Sequence, residues 1–113
     1  MHEVSLMKNA LAIALTEAKN QGATQIHSLK INVGELSGVV PEALKFAFDV
    51  VVRETIAQGA KLELEIIPVT CYCPHCCLTF HPFGWCHACP QCHHISTQIL
   101  QGRELELASL EVS

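Results

Sequence analysis

The chain has 113 residues, half of them hydrophobic and 16% charged, with a formal net charge of -4. That mixture excludes intrinsic disorder, which needs low hydrophobicity and high net charge, and six glycines with five prolines are too few for a collagen-like or linker chain. A net acidic chain is poorly suited to phosphate contacts, so nucleic acid is excluded as the main partner.

Residues 4–18 have a helical period. Val4, Met7, Leu11, Ala14, Leu15 and Ala18 recur at three and four residues and form one apolar stripe. Gly22 is placed to cap that helix in the left-handed conformation. Residues 26–33 alternate, with Leu29, Ile31 and Val33 on one side, as in a half-buried strand. A loop follows from Gly34 to Gly38, and Pro41 suits the first turn of a second helix. Leu44, Ala47, Phe48, Val51, Val52 and Thr55 make the buried face of that helix, with Gly59 as its stop. Leu62, Leu64 and Ile66 alternate with Lys61, Glu63 and Glu65 in a second strand.

Residues 95–100 and 103–112 are again β-like, with Gln101-Gly102 as the turn between them. In the last strand Leu105 and Leu107 share one face while Leu110 and Val112 share the other. That slip of phase points to a bulge, or to a strand shared between two environments. The expected fold is α+β/α/β: a small three-stranded mixed sheet covered by two helices, with a zinc-ribbon module inserted before the final strand. The expected domains are 1–69 plus 102–113 for the α/β body and 70–101 for the ribbon.

Seven cysteines and seven histidines are the unusual counts. All the cysteines lie from Cys71 to Cys92, and an odd number does not close as a disulfide framework. The first residues have no basic segment of the kind that begins a signal peptide, and no apolar run approaches the roughly 20 residues of a membrane-spanning helix. The expected location is therefore cytoplasmic, without membrane insertion, where thiols stay reduced and clustered cysteines bind metal.

Cys73-Pro-His-Cys76 and Cys89-Pro-Gln-Cys92 are two Cys-x2-Cys knuckles separated by twelve residues. Two intervening residues let the chain turn so that both sulfurs reach one ion at about 2.3 Å, and two knuckles complete a tetrahedron. Cys73, Cys76, Cys89 and Cys92 are thus expected to hold a structural Zn²⁺. Four sulfurs leave no open position for catalysis. Cys71, Cys77 and Cys86 are spare; Cys71 and Cys77 read as packing or exposed thiols beside the site, with a Cys77–Cys86 disulfide as a product of air oxidation. His75, His81, His87, His93 and His94 crowd the same segment; they read as solvated bystanders, the alternative being that His75 or His93 replaces a thiolate as pH falls.

A second set of donors opens the chain. The α-amine of Met1, the amide nitrogen of His2 and its imidazole Nδ1 can close adjacent chelate rings around one ion, a planar nitrogen set that suits Ni²⁺ or Cu²⁺. Glu3 can add an oxygen, its amide, or an outer hydrogen bond. The competing reading is a frayed terminus in which histidine occurs by chance.

These features combine with Gly34-Glu35-Leu36-Ser37-Gly38-Val39 after the first strand and Pro41-Glu42-Ala43-Leu44-Lys45-Phe46-Ala47-Phe48 in the second helix. In order and spacing, across essentially the whole chain, they resemble the HypA/HybF family of nickel metallochaperones for [NiFe]-hydrogenase maturation. The resemblance implies a Ni²⁺ site with His2 as essential ligand, a Zn²⁺ ribbon on the four knuckle cysteines, and no enzyme activity. It also implies partners: a HypB-type GTPase, the hydrogenase large-subunit precursor and, in some relatives, urease maturation proteins. Many relatives have an acidic residue just before the second helix, where this chain has Val40. Two other classes compete: a zinc-ribbon interaction adaptor without metal transfer, and a thiol-redox enzyme using Cys71, Cys77 or Cys86.

Overall fold

The computed structural model describes residues 3–82, 87–95 and 98–113. Helix α1 (Glu3–Asn20) is followed by β1 (Ile26–Gly34), α2 (Pro41–Val51), β2 (Lys61–Ile67), β3 (Thr70–Cys73), β4 (Leu78–Phe80), β5 (Gln98–Gln101) and β6 (Leu105–Val112). The strands form two sheets of three, ordered β2-β1-β6 and β4-β3-β5.

Helix α1 buries Met7, Leu11, Ala14 and Ala18, the stripe that the periodicity predicts, while Val4 in the first turn stays exposed. It ends in a Schellman motif. Gly22 takes φ +70°, Gly22 N donates to Lys19 O at 3.0 Å, and Ala23 N donates to Ala18 O at 2.9 Å. Strand β1 is central in its sheet and turns Leu29, Ile31 and Val33 into one cluster with Met7 and Leu11 of α1 and Leu44 and Phe48 of α2. Both helices therefore cover the same apolar face.

β1 pairs in parallel with β2 and antiparallel with β6, so the sheet is mixed, as expected. The predicted bulge is present: Lys30 faces Ser109 but Ile31 faces Leu107, leaving Ala108 as the extra residue. That insertion lets Leu105, Leu107, Leu110 and Val112 all pack against the same core despite their change of phase. β2 departs from the simple alternation at its end, where Ile66 is exposed.

The second helix is shorter than its apolar pattern. It stops at Val51, well before Gly59, and Val52–Gly59 run as turns. Glu54 adopts φ +63°, which no helix continues. The Thr55 hydroxyl donates to Val52 O at 2.6 Å and accepts from Ala57 N at 3.1 Å. A threonine that bonds the local backbone in this way competes with the helical ladder. Val52 and Ala57 remain buried, so the apolar spacing records the core and not the helix length.

The two sheets meet at a narrow backbone junction. Leu36 N donates to Gly102 O at 2.6 Å, Glu35 N donates to Ile67 O at 3.0 Å, and the Glu35 carboxylate accepts from Val69 N at 2.7 Å. Gly34 sits so close to the Gly102 backbone that a side chain there would overlap it. Gly102, in the predicted turn, takes φ +118°. Leu36 packs with the second cluster of Val69, Cys71, Cys73, Phe80 and Cys89. The motif that follows β1 thus grips both strands that connect the sheets.

Candidate metal centre

β3 delivers Cys73 at its end, and Pro74, His75, Cys76 and Cys77 turn the chain back into β4. The second knuckle, Cys89 to Cys92, is closed by its own backbone. His93 N donates to Cys89 O at 2.9 Å, Cys89 N donates to His94 O at 2.8 Å, and Ala88 bridges Ile95. Cys77 at φ +51° and His93 at φ +61° are the residues just after the second cysteine of each knuckle. Both knuckles therefore use the same left-handed step, at about 1–2 kcal/mol of strain for a non-glycine residue. The spacing of the cysteines did not reveal this role, because neither position carries the glycine that usually marks it.

The two turns bring Cys73, Cys76, Cys89 and Cys92 together, with all four sulfurs within 4.8 Å of one another. Cys73 and Cys92 Sγ are 3.5 Å apart, and the described cysteines are all free. A tetrahedral site with metal–sulfur bonds of about 2.3 Å requires sulfur–sulfur edges of roughly 3.8 Å, whereas a disulfide requires about 2.05 Å. The geometry fits an ion and not a crosslink. Cys73 and Cys89 are buried, Cys76 is half-buried and Cys92 is exposed, so one side of the tetrahedron faces solvent.

The protonation pattern points the same way. Cys89 is lowered to about 7 by the backbone amides of Cys92 and Gln91 and by the Cys73 and Cys92 thiols, against the opposing effect of burial. Gln91 N lies 3.4 Å from its sulfur. Cys76 is pushed up to about 12, first by its contact with Cys92, then by burial and by Cys89. Near neutrality Cys89 is partly ionised while Cys76 keeps its proton. A bound cation stabilises thiolates, and the donor set suits Zn²⁺.

The remaining cysteines behave differently. Cys71 is fully buried between Phe80 and Ile99 in the ribbon ladder, and burial pushes its thiol up. Its burial makes it a packing residue of the ribbon. Cys77 is exposed, and its contact with Tyr72 raises the phenol. Cys86, and with it the Cys77–Cys86 pairing, lies outside the described residues. His81 is held away from the cluster, with Nδ1 3.2 Å from Val69 O and 3.4 Å from Thr70 Oγ1.

At the other end, Glu3 opens α1 and is half-buried. Met1 and His2 lie outside the described residues. Val40 caps α2 with no side-chain hydrogen bond and is 51% exposed.

The family model for hydrogenase/urease nickel incorporation, metallochaperone, HypA matches residues 1–112. The chain belongs to the HypA family. Among similar HypA proteins is the hydrogenase maturation factor HypA of Picosynechococcus sp., 49% identical over 112 residues that cover 99% of each chain. The HypA of Acidithiobacillus ferrooxidans is 38% identical over the same coverage. The solution structure of the Ni metallochaperone HypA from Helicobacter pylori matches with a TM-score of 0.70 at 28% identity, covering 99% of this chain and 97% of that one. A further HypA solution structure matches with a TM-score of 0.76 at 29% identity, covering 100% and 97%. The HypA family is one of nickel metallochaperones for hydrogenase maturation, and none of the described helices is long and apolar enough to cross a membrane.

Proposed function

We propose that this chain carries Ni²⁺ at its amino terminus and passes it, with a HypB-type GTPase, into the hydrogenase large-subunit precursor in the cytoplasm. The match of a nickel-incorporation family to residues 1–112, which takes in Met1-His2-Glu3, carries this reading. The Met1 amine, the His2 amide and imidazole, and Glu3 as an added donor would hold the cargo ion. Nitrogen donors of this kind favour planar coordination of nickel. An ion held at a chain end can pass to a partner one bond at a time, so no catalytic group is required.

Cys73, Cys76, Cys89 and Cys92 would hold a resident Zn²⁺, which supplies the folding energy that a ribbon of this size lacks. The chain then divides into a nickel-binding domain, residues 1–69 plus 102–113, and a zinc-ribbon domain, residues 70–101. The two are joined through the short junction at Glu35 and Leu36.

Zinc-loaded protein with a free Met1 amine should take up one further Ni²⁺ tightly. His2→Ala, or an extension that turns the amine into an amide, should abolish that uptake with zinc content and circular dichroism unchanged. Equal nickel affinity in wild type and His2→Ala would overturn the assignment and leave a zinc-stapled adaptor.

A further inference from the structure

The two knuckles do more than gather four sulfurs. His75, in the first, and His94, two residues past the second, are exposed, and their ring centroids lie 4.3 Å apart with planes tilted by 51°. We propose that His75 and His94 form a second, surface metal site: a two-imidazole clamp for a late first-row divalent ion, outside the four-cysteine cluster and independent of the amino terminus.

The spacing fits such a clamp. An imidazole nitrogen binds these ions at about 2.0–2.1 Å, which places each ring centroid roughly 3.2 Å from the ion. Two cis donors at tetrahedral or square-planar angles then have centroids about 4.5–5.2 Å apart. The observed 4.3 Å is within a small side-chain rotation of that range. Parallel stacked rings cannot aim two lone pairs at one point, whereas tilted rings can converge on it.

The clamp is also built in advance. The His94 carbonyl accepts from Cys89 N at 2.8 Å, and His75 stands inside the turn that presents Cys73 and Cys76. The turns that hold the cysteines therefore also set the backbone positions of the two histidines. Four thiolates holding one divalent ion leave a local charge of about -2, which attracts a second cation to the surface above. With two protein ligands and water in the other positions, the site would exchange its ion readily.

The test uses the full, zinc-loaded chain carrying His2→Ala, so that the amino-terminal site is absent and failure of one site cannot be mistaken for failure of the other. Nickel chloride is titrated while the imidazole signals are followed by NMR and zinc is measured per chain. The signals of His75 and His94 should disappear together below one equivalent, ahead of those of His27 and His87. His94→Asn should weaken nickel binding by at least about tenfold, because a second arm acts at high effective concentration. It should also restore the His75 signal, with zinc retained, and His75→Asn should do the reverse for His94. The proposal is overturned if either substitution leaves the other histidine broadened as before, or if all the histidines respond alike.

Discussion

Replacing Gly34 with alanine should damage the chain far from either set of metal ligands. A methyl at Gly34 would lie closer than 3.0 Å to Gly102 O, Gly102 C and Arg103 N, all backbone atoms that cannot rotate away. Something in the junction must move. Overpacking of this kind costs about 1–3 kcal/mol, and displacing Gly102 weakens the Leu36 N to Gly102 O bond, about 1 kcal/mol more. The stiffer unfolded chain returns about 0.4–1 kcal/mol, leaving a net loss of roughly 1–3.5 kcal/mol. At about 2.1 cal/mol/K per residue, a chain this long unfolds with an entropy near 0.24 kcal/mol/K, so Tm should fall by about 4–15 °C. Thermal unfolding of zinc-loaded wild type and Gly34→Ala, with zinc measured beforehand, reads this directly. Zinc should remain at one per chain. A Tm within about 2 °C of wild type would refute the backbone-on-backbone contact that joins the two sheets.

Gly22→Ala is the contrasting case: φ is +70° but nothing lies within 4 Å, so only the left-handed penalty of about 1–2 kcal/mol, offset by about 0.4–1 kcal/mol from the unfolded chain, remains and Tm should drop less far. A larger drop than for Gly34→Ala would show that conformation and not crowding dominates. Zinc uptake by metal-free protein should release protons in a pH-dependent number. With Cys89 at about 7, its thiol is about three-quarters ionised at pH 7.5 and contributes few of the protons released on zinc binding there. Toward pH 6 Cys89 is protonated before binding and the count should rise by somewhat less than one proton; calorimetry in buffers of different ionisation enthalpy measures it, and a constant count across this range would contradict the Cys89 assignment. Cys89→Ser should abolish tight zinc retention and remove hydrogen-exchange protection from Cys71 and Tyr72, while Leu29 and Ile31 in the other sheet stay protected. Collapse of protection in both sheets at once would show that the ribbon is not a separable unit.

Local spacing determined much of this protein. The stripe of α1 and its Gly22 cap, the alternation of β1, the two Cys-x2-Cys turns and the break of phase in the last strand were all legible, because each depends on neighbours within a few residues; that Ala108 is the residue that bulges was not. The whole-chain order of motifs made the family legible as well. Tertiary structure decided the rest. It ended α2 at Val51, since a buried apolar spacing continues through Val52 and Ala57 whether or not the backbone stays helical. It gave Glu35 and Leu36 their place between the sheets and made Gly34 a contact for Gly102, residues far apart along the chain. It assigned Cys71 to packing and brought His75 beside His94. Periodicity records which face of an element is buried. It carries no information about which distant backbone that face or turn will meet, because such a contact exists only once both strands have been set in register.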